Sequence, residues 1–139
     1  MDDYKVSYKV NGEDFTVAGE ASRSLKKVLT QLGINPKVIR RATIAMYEGE
    51  INMVIHADGG VIDVIINKEK IHMFLRDRGP GIGNINLAMT EGYSTATEEV
   101  RQLGFGAGMG LPNMKKYTDY FNIDTKVGVG TTVEMIVNI

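Results

Sequence analysis

Tyr47-Glu48-Gly49-Glu50-Ile51-Asn52-Met53-Val54-Ile55-His56-Ala57 is the second half of a long helical pattern. Asn35-Pro36 supplies a cap and a first-turn proline. From there Ile39, Ala42, Ala45, Ile51 and Ile55 carry the helix to about Ala57. Glu48 and Asn52 stand four residues apart and so share one face, with Ala45 and Ile55 near it. Burying a carboxylate or carboxamide there without a partner costs ~1–3 kcal/mol each. A hard cation would supply a partner. The Asn52 oxygen is a neutral magnesium ligand, and Glu48 can hold or deprotonate a group attacking near phosphates. A solvated face, also containing Glu50, fits the same spacing, so the helix alone leaves both readings open.

Working outward, Leu25, Val28, Leu29 and Leu32 predict an earlier helix, with Ser22 or Ser24 as cap and Gly33 as stop. Tyr4 to Val10 alternates, Asn11-Gly12 is a turn signal, and Phe15 to Ala18 resumes the strand pattern. Downstream, Val61 to Asn67 and Lys70 to Asp77 read as strands about Lys68-Glu69. Gly79 to Gly110 has no sustained period, which at this length marks a functional or mobile loop. A third helix is expected from Leu111 to Phe121, then a hairpin of Asn122 to Val127 and Thr131 to Val137 across Gly128-Val129-Gly130. The expected fold is a two-layer α/β (α+β) sandwich: a mixed, largely antiparallel sheet with three main helices on one face. Residues 1–139 read as one domain, without repeat or linker.

Bulk properties narrow the function. The chain has 139 residues, 43% hydrophobic and 24% charged, with a net charge of -1. No global field draws it to nucleic acid or to an anionic membrane. It has no cysteine, which excludes disulfides, thiolate metal sites and a cysteine nucleophile. No run approaches a membrane span, and the acidic start lacks a signal core, so a cytoplasmic protein is expected. Of 16 glycines, ten lie from Gly79 to Gly130.

Those glycines frame two further clusters. In Asp77-Arg78-Gly79-Pro80-Gly81-Ile82-Gly83 an aspartate ends the apolar run Met73-Phe74-Leu75. It can accept a hydrogen bond from an exocyclic amine such as adenine's, while bare glycines let the backbone approach a flat ring. A tight turn would use the same residues. Gly104-Phe105-Gly106-Ala107-Gly108-Met109-Gly110 runs into the Leu111 helix. Free N–H groups at a helix start attract phosphate; a flexible linker is the alternative. No short strand leads into it as a dinucleotide fingerprint requires, and no G-x-x-x-x-G-K-[ST] loop is present. Gly130-Thr131-Thr132 opens the last strand, where a hydroxyl would back up Asp77.

In this order the four elements resemble the GHKL ATPases: gyrase, heat-shock chaperone, histidine kinase and MutL. Glu48-x-x-x-Asn52 resembles the N box, Asp77-x-Gly79-x-Gly81 the G1 box, Gly106-x-Gly108-x-Gly110 the G2 box, and Gly130-Thr131 the terminal GT. Within that family the chain is most similar to stand-alone anti-sigma factor and switch serine kinases. Tyr47 to Ala57 resembles their E-x-x-x-N-A-I-x-H segment, and Gly106 to Lys116 their GxG-L-P-x-x-K-R stretch. The resemblance implies a Bergerat-type fold holding ATP and Mg2+ between helices and sheet. It implies Glu48 as general base or substrate-orienting acid, Asn52 as magnesium ligand, and Asp77 on the adenine amine. Gly79, Gly81, Ile82 and Gly83 would shape the adenine pocket, with Thr131 beside Asp77. Gly106, Ala107, Gly108, Met109, Gly110 and Leu111 would wrap the phosphates. Met53 departs from the pattern, since the family has a small alanine after the asparagine.

The implied activity is serine/threonine protein kinase, acting on a small anti-anti-sigma-like regulator. The alternative is an ATP-gated module that sequesters a sigma factor or other regulator without turnover. Glu91 to Leu103 would be the docking lid, with Tyr93, Ser94, Thr95, Glu98 and Arg101 as its candidates. Family members often form homodimers through the first strand and helix. His56 is expected at a helix end, satisfied by backbone, and His72 on the exposed side of a strand. Neither reads as a phosphoacceptor, and no dimerisation hairpin is seen ahead of the domain. A basic set on the first two helices (Arg23, Lys26, Lys27, Lys37, Arg40, Arg41) is either a solvated surface or a site for an acidic partner.

Overall fold

Alternating apolar residues build five strands with one buried face. These are β1 (Tyr4–Asn11), β2 (Gly59–Ile66), β3 (Lys70–Asp77), β4 (Tyr120–Lys126) and β5 (Gly130–Asn138). The computed structural model describes residues 3–12, 18–57, 59–79, 89 and 110–139, with only the backbone of His56. The strand order is β1-β2-β3-β5-β4. The expectation of a mixed, largely antiparallel sheet sharpens, because every pairing among the described strands is antiparallel. Ile62, Val64, Ile71, Met73, Met135 and Val137 point from the sheet into the core. Helices α1 (Glu20–Gln31), α2 (Pro36–His56) and α3 (Gly110–Lys116) cover them with Leu25, Leu29, Met46, Val54 and Met114. Each such side chain contributes ~1.5–3 kcal/mol on burial. The two-layer sandwich follows.

Local chemistry sets the helix ends. Asn35 Oδ1 accepts the Lys37 N–H at 2.9 Å and Pro36 opens α2, as the sequence predicts. Gly33, at φ 74, follows the Leu32 that closes α1. The start of α1 is a correction. Its N-cap is neither Ser22 nor Ser24 but Gly19, left-handed at φ 93 and without a side chain to cap with. Glu50 of α2 does the capping instead. Its Oε2 accepts the Gly19 and Ala21 N–H groups at 3.0 and 3.1 Å. Its Oε1 accepts the Ser22 N–H at 3.1 Å and the Ser22 hydroxyl at 2.7 Å. Glu50 is therefore 2% exposed, not part of a solvated face.

The third helix also ends earlier than Phe121. The Thr118 hydroxyl donates to the Met114 carbonyl at 2.8 Å, and the Asp119 N–H already joins Ile136 O at 2.8 Å. Pairing with β5 thus overrides helical spacing, and Phe121 falls in β4, packed against the core. Residues 13–17, which hold most of the expected Phe15 to Ala18 strand, lie outside the described residues; Ala18 is in a turn.

The sheet face away from the helices is knitted by polar pairs. His72 Nε2 lies 2.6 Å from Glu134 Oε2, and Arg76 Nη1 lies 2.6 Å from Asp63 Oδ2. Phe74 sits between, stacked on His72 with centroids 4.3 Å apart and 4.9 Å from the Arg76 guanidinium. His72 is thus not exposed as expected: its side chain keeps 18% accessibility. Asp119 braces α2 to the sheet through Arg41 Nη2 at 3.1 Å and the Asn138 N–H at 2.7 Å. The Asn138 bond, with help from Arg41, lowers the Asp119 carboxyl below its ordinary range against the opposing effect of burial. Burial, with Tyr4 adding, raises the Tyr8 phenol, whose buried hydroxyl has no partner among the described residues.

Candidate functional site

α2 turns Glu48 and Asn52 toward α3, both half-buried. Asn113 Nδ2 donates to Glu48 Oε1 at 3.4 Å, a long bond. A Cβ on Gly110 would stand 3.1 Å from both Oδ1 and Nδ2 of Asn52. A bare Cα lets the start of α3 close on that amide without pushing it aside. The acid/amide pair is therefore brought against the last glycine of the G2-like run, as the motif order implies. Leu111, the next residue, turns into the core at 8% exposure.

Asp77 ends β3 opposite the opening of β5. Its Oδ1 accepts the Gly79 N–H at 2.9 Å and the Thr131 N–H at 3.1 Å. Among the described residues no bond reaches Oδ2, which leaves one carboxylate oxygen for a donor. The expected support from the Thr131 hydroxyl is a correction. Antiparallel register pairs Arg76 with Thr132, which carries the Thr131 main chain to Asp77, while the hydroxyl pairs with Thr125 Oγ1 at 2.8 Å. Gly130 comes closer still: a Cβ there would lie 2.2 Å from Asp77 O.

Met53, the departure from the family pattern, is 2% exposed. A Cβ on Gly60 would meet its Cε at 2.6 Å, Arg76 O at 2.0 Å and the Asp77 Cα at 2.9 Å. Gly60 pairs with Asp77 across β2 and β3. The bulk of Met53 is thus taken up by a glycine beneath the aspartate. Gly60, Asn113 and Thr125 carry no motif signal that would have found them; they meet Met53, Glu48 and Thr131 only through the fold. Gly81, Ile82, Gly83, Gly106, Ala107, Gly108 and Met109 lie outside the described residues, as do Tyr93, Ser94, Thr95, Glu98 and Arg101 of the expected lid.

Residues 14–137 match a family model described as a histidine kinase-like ATPase domain. The chain belongs to the histidine kinase-like ATPase family. This confirms the GHKL resemblance read from the motifs. Among its relatives, the anti-sigma F factor of Anoxybacillus flavithermus is 35% identical over 100 residues, 72% of this chain and 62% of that protein. The serine/threonine-protein kinase RsbT of Bacillus subtilis is 29% identical over 127 residues, 88% of this chain and 87% of RsbT. An anti-sigma F factor of a Thermoanaerobacter species is 33% identical over 96 residues, 66% of this chain and 64% of that protein. The chain thus covers less than two thirds of these anti-sigma F factors but most of RsbT.

Family membership implies use of ATP, and the described residues suit it. They offer a carboxylate oxygen held open at Asp77, a neutral amide oxygen at Asn52, and a carboxylate at Glu48. No three His, Cys, Asp or Glu side chains converge among the described residues, so a magnesium ion here would rest on Asn52 and on phosphate oxygens, the usual manner for this ion. Among the described residues no helix is long and apolar enough to cross a membrane.

Proposed function

We propose that this chain is an ATP- and magnesium-dependent serine/threonine protein kinase of the anti-sigma regulatory kind. Its substrate is a small regulatory, anti-anti-sigma-like protein. The observation that carries the reading is the Asp77 carboxylate, oriented by two backbone N–H groups on one oxygen, in a member of an ATPase family. ATP would supply the transferable phosphoryl group. Asp77 Oδ2 would accept from the adenine amine, and Gly79, Gly81, Ile82 and Gly83 would shape the base pocket beside Thr131. Asn52 would ligate magnesium, and the segment Gly106, Ala107, Gly108, Met109, Gly110 and Leu111 would enclose the phosphates. Glu48 orients the partner's hydroxyl and takes its proton as the new oxygen–phosphorus bond forms and ADP leaves. Such transfer asks mainly for positioning and charge neutralisation. We place the chain in the cytoplasm as one ATP-binding domain over residues 1–139, with homodimerisation through the first strand and helix open to test.

The names of the anti-sigma F relatives favour a second reading: an ATP-gated module that holds a sigma factor without turnover. Glu48→Gln separates the two. Purified protein, ATP-magnesium and the partner should give phosphoserine or phosphothreonine with the natural chain and none with the variant, both binding ATP alike. ATP binding and partner capture without phosphate transfer by the natural chain would select the second reading.

A further inference from the structure

Residues 21–47 hold six lysines and arginines and no carboxylate, in a chain whose 16 cations are otherwise outnumbered by 17 anions. The fold gathers these charges. Arg23, Lys26 and Lys27 are exposed on α1, at spacings of three and four that share a face. Lys37 and Arg40 are exposed on the first turns of α2. The two helices meet along their length. A Cβ on Gly19 would lie 3.0 Å from Arg23 Nη1 and 3.2 Å from Tyr47 Cε2, so the start of α1 adjoins the middle of α2. Among the described residues only Arg41 of the six has an ion-pair partner, Asp119. Among the described residues five cations without an ion-pair partner therefore share the α1–α2 layer with a single exposed carboxylate, Glu20 at the start of α1.

We propose that this layer docks a folded protein through an acidic surface. Three features favour that occupant. The excess of five cations over that one carboxylate raises a positive potential that steers and orients an acidic counter-surface. Tyr47, 39% exposed, lies beside Arg23, and tyrosine and arginine are residue types that dominate protein interfaces. The layer is also rigid, because the four Glu50 bonds bolt the start of α1 to α2, so little order is lost on docking. A nucleic acid fits less well. Its continuous charge would extend past the basic layer onto a remainder in which carboxylates outnumber cations. Tyr47 precedes Glu48, so a protein seated here stands next to the candidate acid. Naming that protein as phosphoacceptor rests on the proposed kinase reading; the docking surface does not.

The test uses the full chain, 15N-labelled, with three probes: a glutamate-rich helical peptide, its glutamine counterpart and a short DNA duplex. The glutamate peptide should shift resonances of α1 and the first half of α2, and the glutamine peptide should not. Its Kd should rise about tenfold on going from low to moderate salt and again by about tenfold in Lys26→Glu/Lys27→Glu/Arg40→Glu. The neutral triple Gln variant should fall between. Shifts elsewhere, indifference to charge reversal, or tighter binding of DNA than of the glutamate peptide would overturn the proposal. With an unphosphorylated partner that the natural chain phosphorylates, the Glu triple variant should raise KM about tenfold and leave kcat and ATP affinity unchanged; an unchanged KM counts against the surface. If no transfer is ever seen but the peptide maps to this layer, the kinase reading falls and the docking surface stands.

Discussion

Replacing Glu50 tests how α1 is held. In Glu50→Gln one amide oxygen can keep either the Gly19 and Ala21 N–H pair or the Ser22 pair, but the new NH2 group must face the other. In the better orientation it opposes the Ser22 N–H, while the Ser22 hydroxyl turns round to accept. One buried N–H is left without a partner, at ~1–3 kcal/mol. The two surviving bonds lose their charge assistance, ~1 kcal/mol or more together. The favourable charge at the start of α1 goes too, ~0.3–1 kcal/mol. Relief of the buried carboxylate's desolvation offsets part of this. A net loss of about 2–3 kcal/mol follows, or roughly 5–10 °C in Tm for a chain of this size. Glu50→Ala removes every acceptor from three backbone N–H groups and should cost about 3–5 kcal/mol. Urea denaturation gives both values, and amide exchange should quicken first at Ala21 and Ser22. The capping role is refuted if the Gln variant lies within about 0.5 kcal/mol of the natural chain, the range of ordinary surface changes, or if it is less stable than the Ala variant.

Asn113→Asp sets a second carboxylate against Glu48 in place of a donor, so it should lower stability by about 1 kcal/mol at neutral pH in urea denaturation; Asn113→Ala should cost less. Gly60→Ala drives a Cβ into Arg76 O and the Asp77 Cα and should cost about 3 kcal/mol by denaturation, whether or not Met53 is trimmed to Ala, because the clash is with main chain. Asp119 has a lowered carboxyl pKa in the fold, so its contribution is present above the unfolded value of 3.8 and is lost as pH falls through the lower folded value. A third exposed, it should contribute only about 0.5–1 kcal/mol, read as a smaller loss of stability in Asp119→Asn between neutral pH and pH below that window.

Legibility followed the distance over which each signal acts. Asn35-Pro36 capped α2 as read, because a cap involves neighbours on the chain. The strands Lys70 to Asp77 and Thr131 to Val137 were visible as alternation, and the N, G1 and GT elements as spaced motifs. Glu50 was not legible. Its partners lie 28 to 31 residues away, and by spacing alone it belongs to the same polar helix as Glu48. The early end of α3 was hidden for a similar reason, since Phe121 keeps helical spacing but its strand pairs with Met135. The Thr131 hydroxyl was assigned to Asp77 by proximity in motif order, whereas register gave that task to its N–H.

The alternation along Glu48, Glu50 and Asn52 has a consequence for how the molecule can work. At about 100° per residue, Glu50 projects roughly opposite to Glu48 and Asn52. One turn of α2 thus faces the candidate site on one side and holds the start of α1 on the other. Glu48 meets Asn113 and Asn52 meets Gly110, both on α3, while Glu50 is buried in the N-terminus of α1. A protein pressing on the basic α1–α2 layer therefore pushes on the same turn that positions the acid/amide pair. That turn cannot rotate without exposing a carboxylate with four buried donors, so α2 moves with α1 as a unit or not at all. Among the described residues, that unit meets α3 at the Glu48–Asn113 bond and the Asn52–Gly110 approach.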